Sequence, residues 1–339
     1  MDLSALNATA EKLLTPGKGL LAADESTSTI QKRFDAIGVA NTETNRRDYR
    51  EILFRAAEGM SYVSGVILFR ETLYQDAADG TPLVELIERA GAVPGIKVDA
   101  GAKPMDGFPG ETLTEGLDGL GAQLAKDYER GARFAKWRAT IFIGDGLPSW
   151  GAVRANAQAL ARYAAICQAH GLTPIVEPEV LMDGDHDIEA CEAATRLTLR
   201  VVFAELVEQR VALEGMLLKP NMVVAGQDCP RQVSVEEVAR RSLATYKACV
   251  PAAVPGIAFL SGGQSDEQAT AHLDAMNRMG PLPWKLTFSY GRALQHAPQK
   301  AWAGKPENAA AAQRAFTHRA RMNGLASLGE WEGALERAA

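Results

Sequence analysis

The sequence predicts an α/β protein, a single-domain (β/α)8 TIM barrel with an N-terminal helix and a C-terminal helical extension. Short apolar segments typical of strands alternate with longer segments of helical periodicity, and there are eight such strand segments. No linker rich in proline, glycine and serine divides the 339 residues. Eight strand–helix units fit a closed barrel better than an open sheet, although the pattern alone leaves an open doubly wound sheet as the alternative.

The predicted strands, in chain order, are Gly19–Asp24, Ser64–Phe69, Pro94–Val98, Phe134–Ile143, Thr173–Val180, Met216–Lys219, Gly256–Leu260 and Trp284–Ser289. Helical periodicity predicts helices over Met1–Leu14, Thr81–Ala90, Leu117–Arg130, Ala152–Ala169, Ile188–Val211, Val235–Cys249 and Asp266–Met279. The segment Gly101–Glu111 is rich in glycine and proline, which predicts a loop. We place one domain over residues 1–339, with the barrel at about 17–305 and the extension at about 306–339.

Composition narrows the class of protein. With 36 lysines and arginines against 42 aspartates and glutamates, the net charge is −6, which argues against a nucleic-acid partner. No segment has the length of a membrane span, and the first residues lack the pattern of a signal peptide. The four cysteines form no CxxC pair or zinc spacing, so we expect free thiols and a cytoplasmic protein.

Polar and charged residues end nearly every predicted strand, where a buried parallel strand should be apolar. They are Asp24, Arg70, Lys97, Asp99, Lys136, Arg138, Glu177, Glu179, Lys219, Ser261 and Ser289. Lys136 and Arg138 are two residues apart and therefore share one strand face, as do Glu177 and Glu179. Charges facing the helix layer would be buried without water, so we place them at the inward mouth of the barrel. A set of buried ion pairs without chemistry is the alternative.

Lys219 is the candidate nucleophile because it ends the apolar run Met216–Leu218. Apolar surroundings and neighbouring cations lower the pKa of a lysine, which raises the fraction of neutral amine that can form an imine. Lys136 and the acids Glu177 and Glu179 complete a set for carbinolamine formation and dehydration. For a lysine taken alone, an ordinary ion-paired or snorkelling side chain is the more common case.

Two loops after the last strands have the composition of a phosphate site. Ser261 and Gly262 begin a Ser-Gly-Gly-Gln-Ser segment before a helix, and Ser289, Gly291 and Arg292 lie before another. Glycine-rich turns at helix N-termini bind anions, and the loops after strands seven and eight form the usual phosphate site of a TIM barrel. A second anion site is predicted after the first strand, from Ser26, Thr29, Arg33 and Lys97.

We expect no metal cofactor. The segment Asp183–Asp187 resembles a metal loop but lacks the later glutamate of an EF-hand, so we interpret it as a helix cap.

Seven blocks of this sequence resemble class I fructose-bisphosphate aldolase, the type that forms a Schiff base. They are Gly17–Ser26, Gly95–Asp99, Phe134–Arg138, Ile175–Val180, Leu217–Met222, Phe259–Gln264 and Leu286–Leu294. Their joint occurrence in this order, from about residue 16 to about residue 325, is highly specific. The resemblance implies reversible cleavage of fructose 1,6-bisphosphate to dihydroxyacetone phosphate and glyceraldehyde 3-phosphate. It also implies a homo-oligomer, with a homotetramer possible.

The resemblance also implies residue roles. Lys219 forms the imine, Glu177 is the main acid and base with Glu179 beside it, and Asp24 accepts the C4 hydroxyl proton. Lys136 stabilises charged intermediates. The phosphates are held by the two groups named above, with Arg138 as a further binding residue.

Three departures from the family pattern stand out. Ser28 replaces a usual glycine, and Thr29 replaces a usual serine. Many eukaryotic members end in a tyrosine that enters the site, whereas the last tyrosine here is Tyr290. The alternatives are another Schiff-base barrel aldolase or transaldolase, and an inactive scaffold that binds sugar phosphates.

Overall fold

The computed structural model describes residues 1–337 and contains ten strands. They are β1 (Gly19–Ala23), β2 (Val63–Leu68), β3 (Val93–Lys97), β4 (Ala102–Pro104), β5 (Thr112–Thr114), β6 (Phe134–Ile141), β7 (Thr173–Val180), β8 (Leu217–Leu218), β9 (Gly256–Phe259) and β10 (Lys285–Tyr290). All except β4 and β5 form one closed parallel barrel in the order β1-β10-β9-β8-β7-β6-β3-β2. The prediction of a (β/α)8 barrel is therefore confirmed, and the open sheet is excluded.

The helices lie between the strands and at both chain ends. They are α1 (Leu3–Leu13), α2 (Thr27–Asp35), α3 (Glu43–Phe54), α4 (Ala57–Met60), α5 (Arg70–Leu73), α6 (Leu83–Arg89), α7 (Leu120–Glu129), α8 (Trp150–Ala169), α9 (Ile188–Glu208), α10 (Val235–Cys249), α11 (Asp266–Arg278), α12 (Arg292–Trp302) and α13 (Ala309–Ala326). Short 3₁₀ turns cover Leu213–Gly215, Pro306–Asn308 and Gly333–Arg337. Among residues 1–337, no helix is both long enough and apolar enough to cross a membrane.

Helix α1 closes the N-terminal end of the barrel. Its residues Ala10 and Leu13 and the following Leu14 pack with one layer of inward-facing strand residues. That layer consists of Leu20, Ala22, Ile67, Val93, Phe134, Ile175, Leu217 and Ala258. Two glycines make room for the leucines, because a Cβ on Gly65 or Gly256 would lie 2.4 Å from Leu13 or Leu14 respectively. The inward face therefore opens to solvent only at the C-terminal ends of the strands.

The segment after β3 differs from its prediction as a loop. Ala102–Pro104 pairs antiparallel with Thr112–Thr114, which forms a small hairpin beside the barrel mouth. The Thr114 hydroxyl donates to the Arg138 carbonyl oxygen at 2.8 Å and attaches this hairpin to β6. Strands of three residues are too short to show a periodic pattern, so the glycines and prolines around them dominated the prediction.

The C-terminal extension packs against the helix layer. Helix α13 lies against α12, α11 and α4. The partly buried Glu336 carboxylate accepts hydrogen bonds from Arg319 at 2.6 Å and His318 at 2.9 Å, which holds the last 3₁₀ turn against α13. Residues 338 and 339, the end of the tail that lacks a tyrosine, lie outside the described residues.

Candidate active site

A cavity of about 360 Å3 lies at the C-terminal ends of the barrel strands. All the residues that the sequence analysis assigned to catalysis or phosphate binding line this cavity, whereas Arg70 and Asp99, which it placed at the barrel mouth, do not. The lining residues so assigned are Asp24, Ser26, Thr29, Arg33, Lys97, Lys136, Arg138, Glu177, Glu179, Lys219, Ser261, Gly262, Ser289, Gly291 and Arg292.

Strand periodicity explains how the charged residues reach the cavity. Phe134 and Ile175 belong to the apolar layer inside the barrel, and residues two positions later on a strand point to the same side. Lys136 follows Phe134 at this spacing, and Glu177 follows Ile175. Lys136 and Glu177 therefore belong to a charged layer at the C-terminal ends of the strands. It follows directly on the apolar layer that α1 covers at the N-terminal end.

Two lysines share one carboxylate at the centre of the cavity. Lys219 Nζ lies 3.0 Å from Glu177 Oε1, and Lys136 Nζ lies 3.1 Å from Glu177 Oε2. Lys136 Nζ also lies 2.7 Å from Asp24 Oδ2. The side chains of Lys136, Glu177 and Lys219 are at most 4% exposed, so these contacts are shielded from water. Glu177 is therefore within proton-transfer distance of both amines.

The ionisation of this cluster follows from burial and from opposite charges. Burial alone would raise the pKa of the Asp24 and Glu177 carboxyls, but the lysine ammonium groups outweigh it and hold both pKa values below their ordinary range. Burial would lower the pKa of Lys136, yet Asp24 and Glu177 raise it above its usual value. Asp24 and Glu177 are thus anionic, and Lys136 is cationic, at neutral pH.

The first predicted anion site joins the loops after β9 and β10. Glu179 lies under Gly262, where a Cβ would be 2.9 Å from Glu179 Oε1, so a larger residue does not fit without a shift. Arg292 begins α12 and donates to the Gln264 carbonyl oxygen at 2.8 Å. The buried Ser289 hydroxyl has no hydrogen-bond partner among the described residues and lines the cavity. Among the described residues, the Ser289 hydroxyl is therefore available to a ligand in the cavity.

The second predicted anion site lies at the N-terminus of α2. Ser26 caps this helix, and its hydroxyl lies 3.0 Å from the Thr29 hydroxyl. Lys97 lies at the end of β3, which only β2 separates from β1, and its Nζ is 2.5 Å from Asp99 Oδ1. Arg33 connects the two anion sites, because a Cβ on Gly291 would lie 3.5 Å from Arg33 Nη2.

Glu25 is a cavity residue that the sequence analysis missed. Its buried carboxylate accepts hydrogen bonds from Arg33 and, at 2.6 Å, from Gln295 Nε2. Because Glu25 directly follows Asp24, the two-residue strand period places it on the face opposite to the inward one. Periodicity therefore does not predict Glu25 in the cavity. Ala22, Leu260 and Gly263 also line the cavity without having been predicted.

Arg70 does not join the site, contrary to the interpretation of strand-end charges. It is the first residue of α5, and its guanidinium lies 3.2 Å from the buried Asp127 carboxylate. Ile67 faces the barrel interior, so Arg70, three positions later, is out of phase with the inward face, and the strand has already ended at Leu68.

The aspartate-rich segment at 183–187 caps a helix. The Asp187 side chain accepts from the Ala190 backbone N–H at 2.9 Å at the start of α9. Within the described range of 1–337, no group of three or more His, Cys, Asp or Glu side chains is arranged to hold a metal ion.

Comparison with known proteins identifies the family. The model of the class-I fructose-bisphosphate aldolases matches residues 5–339. The chain belongs to the class-I fructose-bisphosphate aldolase family. The resemblance stated from sequence is therefore confirmed, and with it the prediction of an enzyme of the aldehyde-lyase class.

The relatives match this aldolase over nearly its whole length. A probable fructose-bisphosphate aldolase class 1 of Xanthomonas campestris pv. campestris is 55% identical over 98% of this chain and 100% of its own. A cytosolic fructose-bisphosphate aldolase of Arabidopsis thaliana is 54% identical, over 97% of this chain and 84% of its own. The solved fructose-bisphosphate aldolase of Plasmodium falciparum, in complex with TRAP and a small-molecule inhibitor, superposes with a TM-score of 0.96. It is 47% identical and covers 98% of this chain and 96% of its own.

Proposed function

We propose that this aldolase reversibly cleaves fructose 1,6-bisphosphate through an imine on Lys219. The observation that supports this most strongly is the buried triad of side chains in which Glu177 lies 3.0 Å from Lys219 Nζ and 3.1 Å from Lys136 Nζ. An amine that attacks a carbonyl needs one group to exchange protons with it and another to stabilise charge. Glu177 supplies the first and Lys136 the second.

The proposed reaction begins with attack of the Lys219 amine on the C2 carbonyl carbon. Glu177 transfers protons so that the hydroxyl of the resulting carbinolamine leaves as water, which forms the protonated imine. Asp24 accepts the C4 hydroxyl proton while the C3–C4 bond breaks, and the electron pair moves into the imine to give an enamine. Glyceraldehyde 3-phosphate leaves. Protonation at C3 and hydrolysis then release dihydroxyacetone phosphate and free Lys219.

The two anion sites fit the two phosphates of this substrate. Ser261, Gly262, Ser289, Gly291 and Arg292 line one side of the cavity. Ser26, Thr29, Arg33 and Lys97 line another, with Arg138 near Glu179. Phosphate contacts far from the C3–C4 bond supply binding energy that positions the reacting carbons. The arrangement favours a bisphosphate over the substrates of transaldolases.

The test is cleavage of fructose 1,6-bisphosphate in a coupled assay with excess EDTA. We expect full activity in the chelator, because the protonated imine is the electron sink. Lys219→Met should abolish turnover. The matched control is Lys285→Met, since Lys285 lies on β10 and pairs with Glu11 of α1 at the closed end of the barrel. Activity lost with EDTA and restored by zinc, or retained in Lys219→Met, would refute the proposal.

We further propose that the aldolase is a cytoplasmic homo-oligomer that works without a metal. The cysteines are all free thiols, which is typical of a reducing compartment. Trp150 and Val207 are large apolar side chains that are 59% and 64% exposed, as expected of residues at subunit contacts. Light scattering after gel filtration tests this, and a monomer at micromolar concentration would contradict it.

A further inference from the structure

The segment that carries Lys219 has almost no strand pairing of its own. β8 contains only two residues, and it pairs with β7 at Ile175↔Leu217 and Val176↔Leu218. The last backbone bond of this ladder runs from Lys219 N to Val176 O at 2.8 Å. β7 continues to Val180. Glu177 and the later residues of β7 therefore have no strand pairing with the segment that follows Lys219.

The Asn221 side chain connects this segment to β7 where backbone hydrogen bonds do not. Its Oδ1 accepts a hydrogen bond from the Val180 backbone N–H at 3.0 Å. Its Nδ2 donates to the Thr195 hydroxyl at 3.1 Å and to the Met222 carbonyl at 3.0 Å. Asn221 is 1% exposed, and Val180 directly follows Glu179. One amide thus joins the segment of the lysine to the end of the strand that bears the acid.

Residues of α9 and α10 hold the Asn221 side chain and the backbone around it. Thr195, which accepts from the Asn221 side chain, lies on α9. On α10, the Tyr246 hydroxyl donates to the Asn221 backbone carbonyl oxygen, and Ser242 Oγ accepts from Val223 N at 2.9 Å. All of these groups are buried, so removing the amide leaves the Val180 N–H without a partner and without water.

We propose that Asn221 is a positioning residue for imine chemistry, and that it keeps Lys219 Nζ and Glu177 Oε1 at their 3.0 Å separation. Asn221 does not line the cavity and acts through the backbone on both sides of that pair. The inference rests on the proposed role of Lys219. A positioning role for Asn221 differs from a purely stabilising one because it predicts that kcat falls in the variant even when the protein is still folded.

The test compares Asn221→Ala with a matched buried amide elsewhere. Asn323 on α13 is fully buried, accepts from the Thr270 hydroxyl at 2.8 Å and donates to the Arg319 carbonyl at 2.8 Å. It lies outside the cavity, so Asn323→Ala controls for the general effect of losing such an amide. Both variants are assayed for kcat, for KM with fructose 1,6-bisphosphate, and for the rate at which borohydride traps dihydroxyacetone phosphate on Lys219, at a temperature where circular dichroism shows them folded.

We expect Asn221→Ala to lower kcat and the trapping rate at least about tenfold while KM stays within about threefold, because the phosphate contacts are untouched. Asn323→Ala should lose thermal stability but keep kcat within about twofold of wild type. Thr195→Val, which keeps the size of the side chain and removes the acceptor of Asn221 Nδ2, should lower kcat about threefold or more.

An Asn221→Ala kcat within threefold of wild type, or an equal fall in Asn323→Ala, overturns the inference. If Asn221→Ala does not fold, Thr195→Val decides, and an unchanged kcat in that variant overturns it. Wild-type protein that is never trapped on Lys219 refutes the proposed function itself. Normal trapping in wild type together with unchanged Asn221 variants refutes only the positioning role.

Discussion

At the residue scale, the two oxygens of Glu177 contact different lysines, so one carboxylate interacts with both amines at once. Oε1 lies 3.0 Å from the Lys219 amine, which we propose forms the imine, while Oε2 lies 3.1 Å from Lys136, which also contacts Asp24. The Lys136 and Lys219 charges outweigh burial and lower the pKa of Glu177, so the carboxylate is ready to accept a proton near neutral pH.

Glu177→Gln should therefore reduce kcat, because the amide keeps the shape of the side chain but cannot exchange protons. General acid–base groups contribute about 10²- to 10⁴-fold, so we expect a loss of that size with KM changed less than about threefold. Steady-state kinetics on fructose 1,6-bisphosphate measure both constants. Glu71→Gln is the control, since Glu71 pairs with Arg46 and Arg50 outside the cavity. Equal kcat for wild type and Glu177→Gln would remove Glu177 from the chemistry.

Arg292 is predicted to act in binding rather than in bond breaking. One charge-assisted hydrogen bond contributes about 1.5–3 kcal/mol, so Arg292→Ala should raise KM for fructose 1,6-bisphosphate by about 10- to 150-fold. Lys300→Ala removes an exposed cation from the same helix and should leave KM unchanged. A KM that is the same in Arg292→Ala and Lys300→Ala would exclude Arg292 from the phosphate site.

At the element scale, the strands show what sequence could and could not predict. Phe134–Arg138 and Ile175–Glu179 follow the two-residue strand period, so the inward direction of their charges was readable from spacing. Glu25 and Asn221 lie in the irregular segments that follow β1 and β8, where that period ends, and their hydrogen bonds go to residues far along the chain, such as Gln295 and Val180. Tertiary hydrogen bonds of this kind leave no local pattern.

Helix α11 holds the loop after β9, which we propose binds phosphate, through His272. The ring lies 2.7 Å from the Gln264 side-chain oxygen, and burial, only partly offset by Glu236, lowers the pKa of His272 to about 4. The unfolded chain takes up a proton near its ordinary pKa of about 6.5, whereas the folded protein does not. Stability should therefore be fully present above about pH 6.5 and fall as pH decreases toward 4.

The expected slope from His272 is at most about 1.4 kcal/mol per pH unit in this window. Urea unfolding of wild type and His272→Gln between pH 4 and 6.5 measures it, because the glutamine does not titrate. We expect a shallower dependence in the variant. Parallel curves for the two proteins would show that His272 is not held neutral by its burial.

At the scale of the whole molecule, the barrel separates stability from chemistry. Helix α1 closes one end with Leu13 and Leu14, and the charged layer occupies the other. The two ends share the strands and one small residue, Ala22, so damage to the closed end should reach the site mainly through unfolding.

Leu13→Ala tests this separation. Leu13 is fully buried, so the variant should lose about 2–5 kcal/mol of unfolding free energy, measured by urea titration. Its kcat at 25 °C should stay within about twofold of wild type while the protein is folded. Leu3→Ala, at a position 39% exposed on the same helix, should lose less than about 1 kcal/mol. A tenfold loss of kcat in folded Leu13→Ala would contradict the separation.

The central claim is the imine on Lys219, and reductive trapping tests it most directly. Wild-type aldolase is treated with borohydride in the presence of dihydroxyacetone phosphate, and the intact mass and the modified peptide are then determined. We expect one adduct per chain, located on Lys219, and no adduct in Lys219→Met. An adduct on Lys97 or Lys136, or active protein that yields no adduct, would contradict the account.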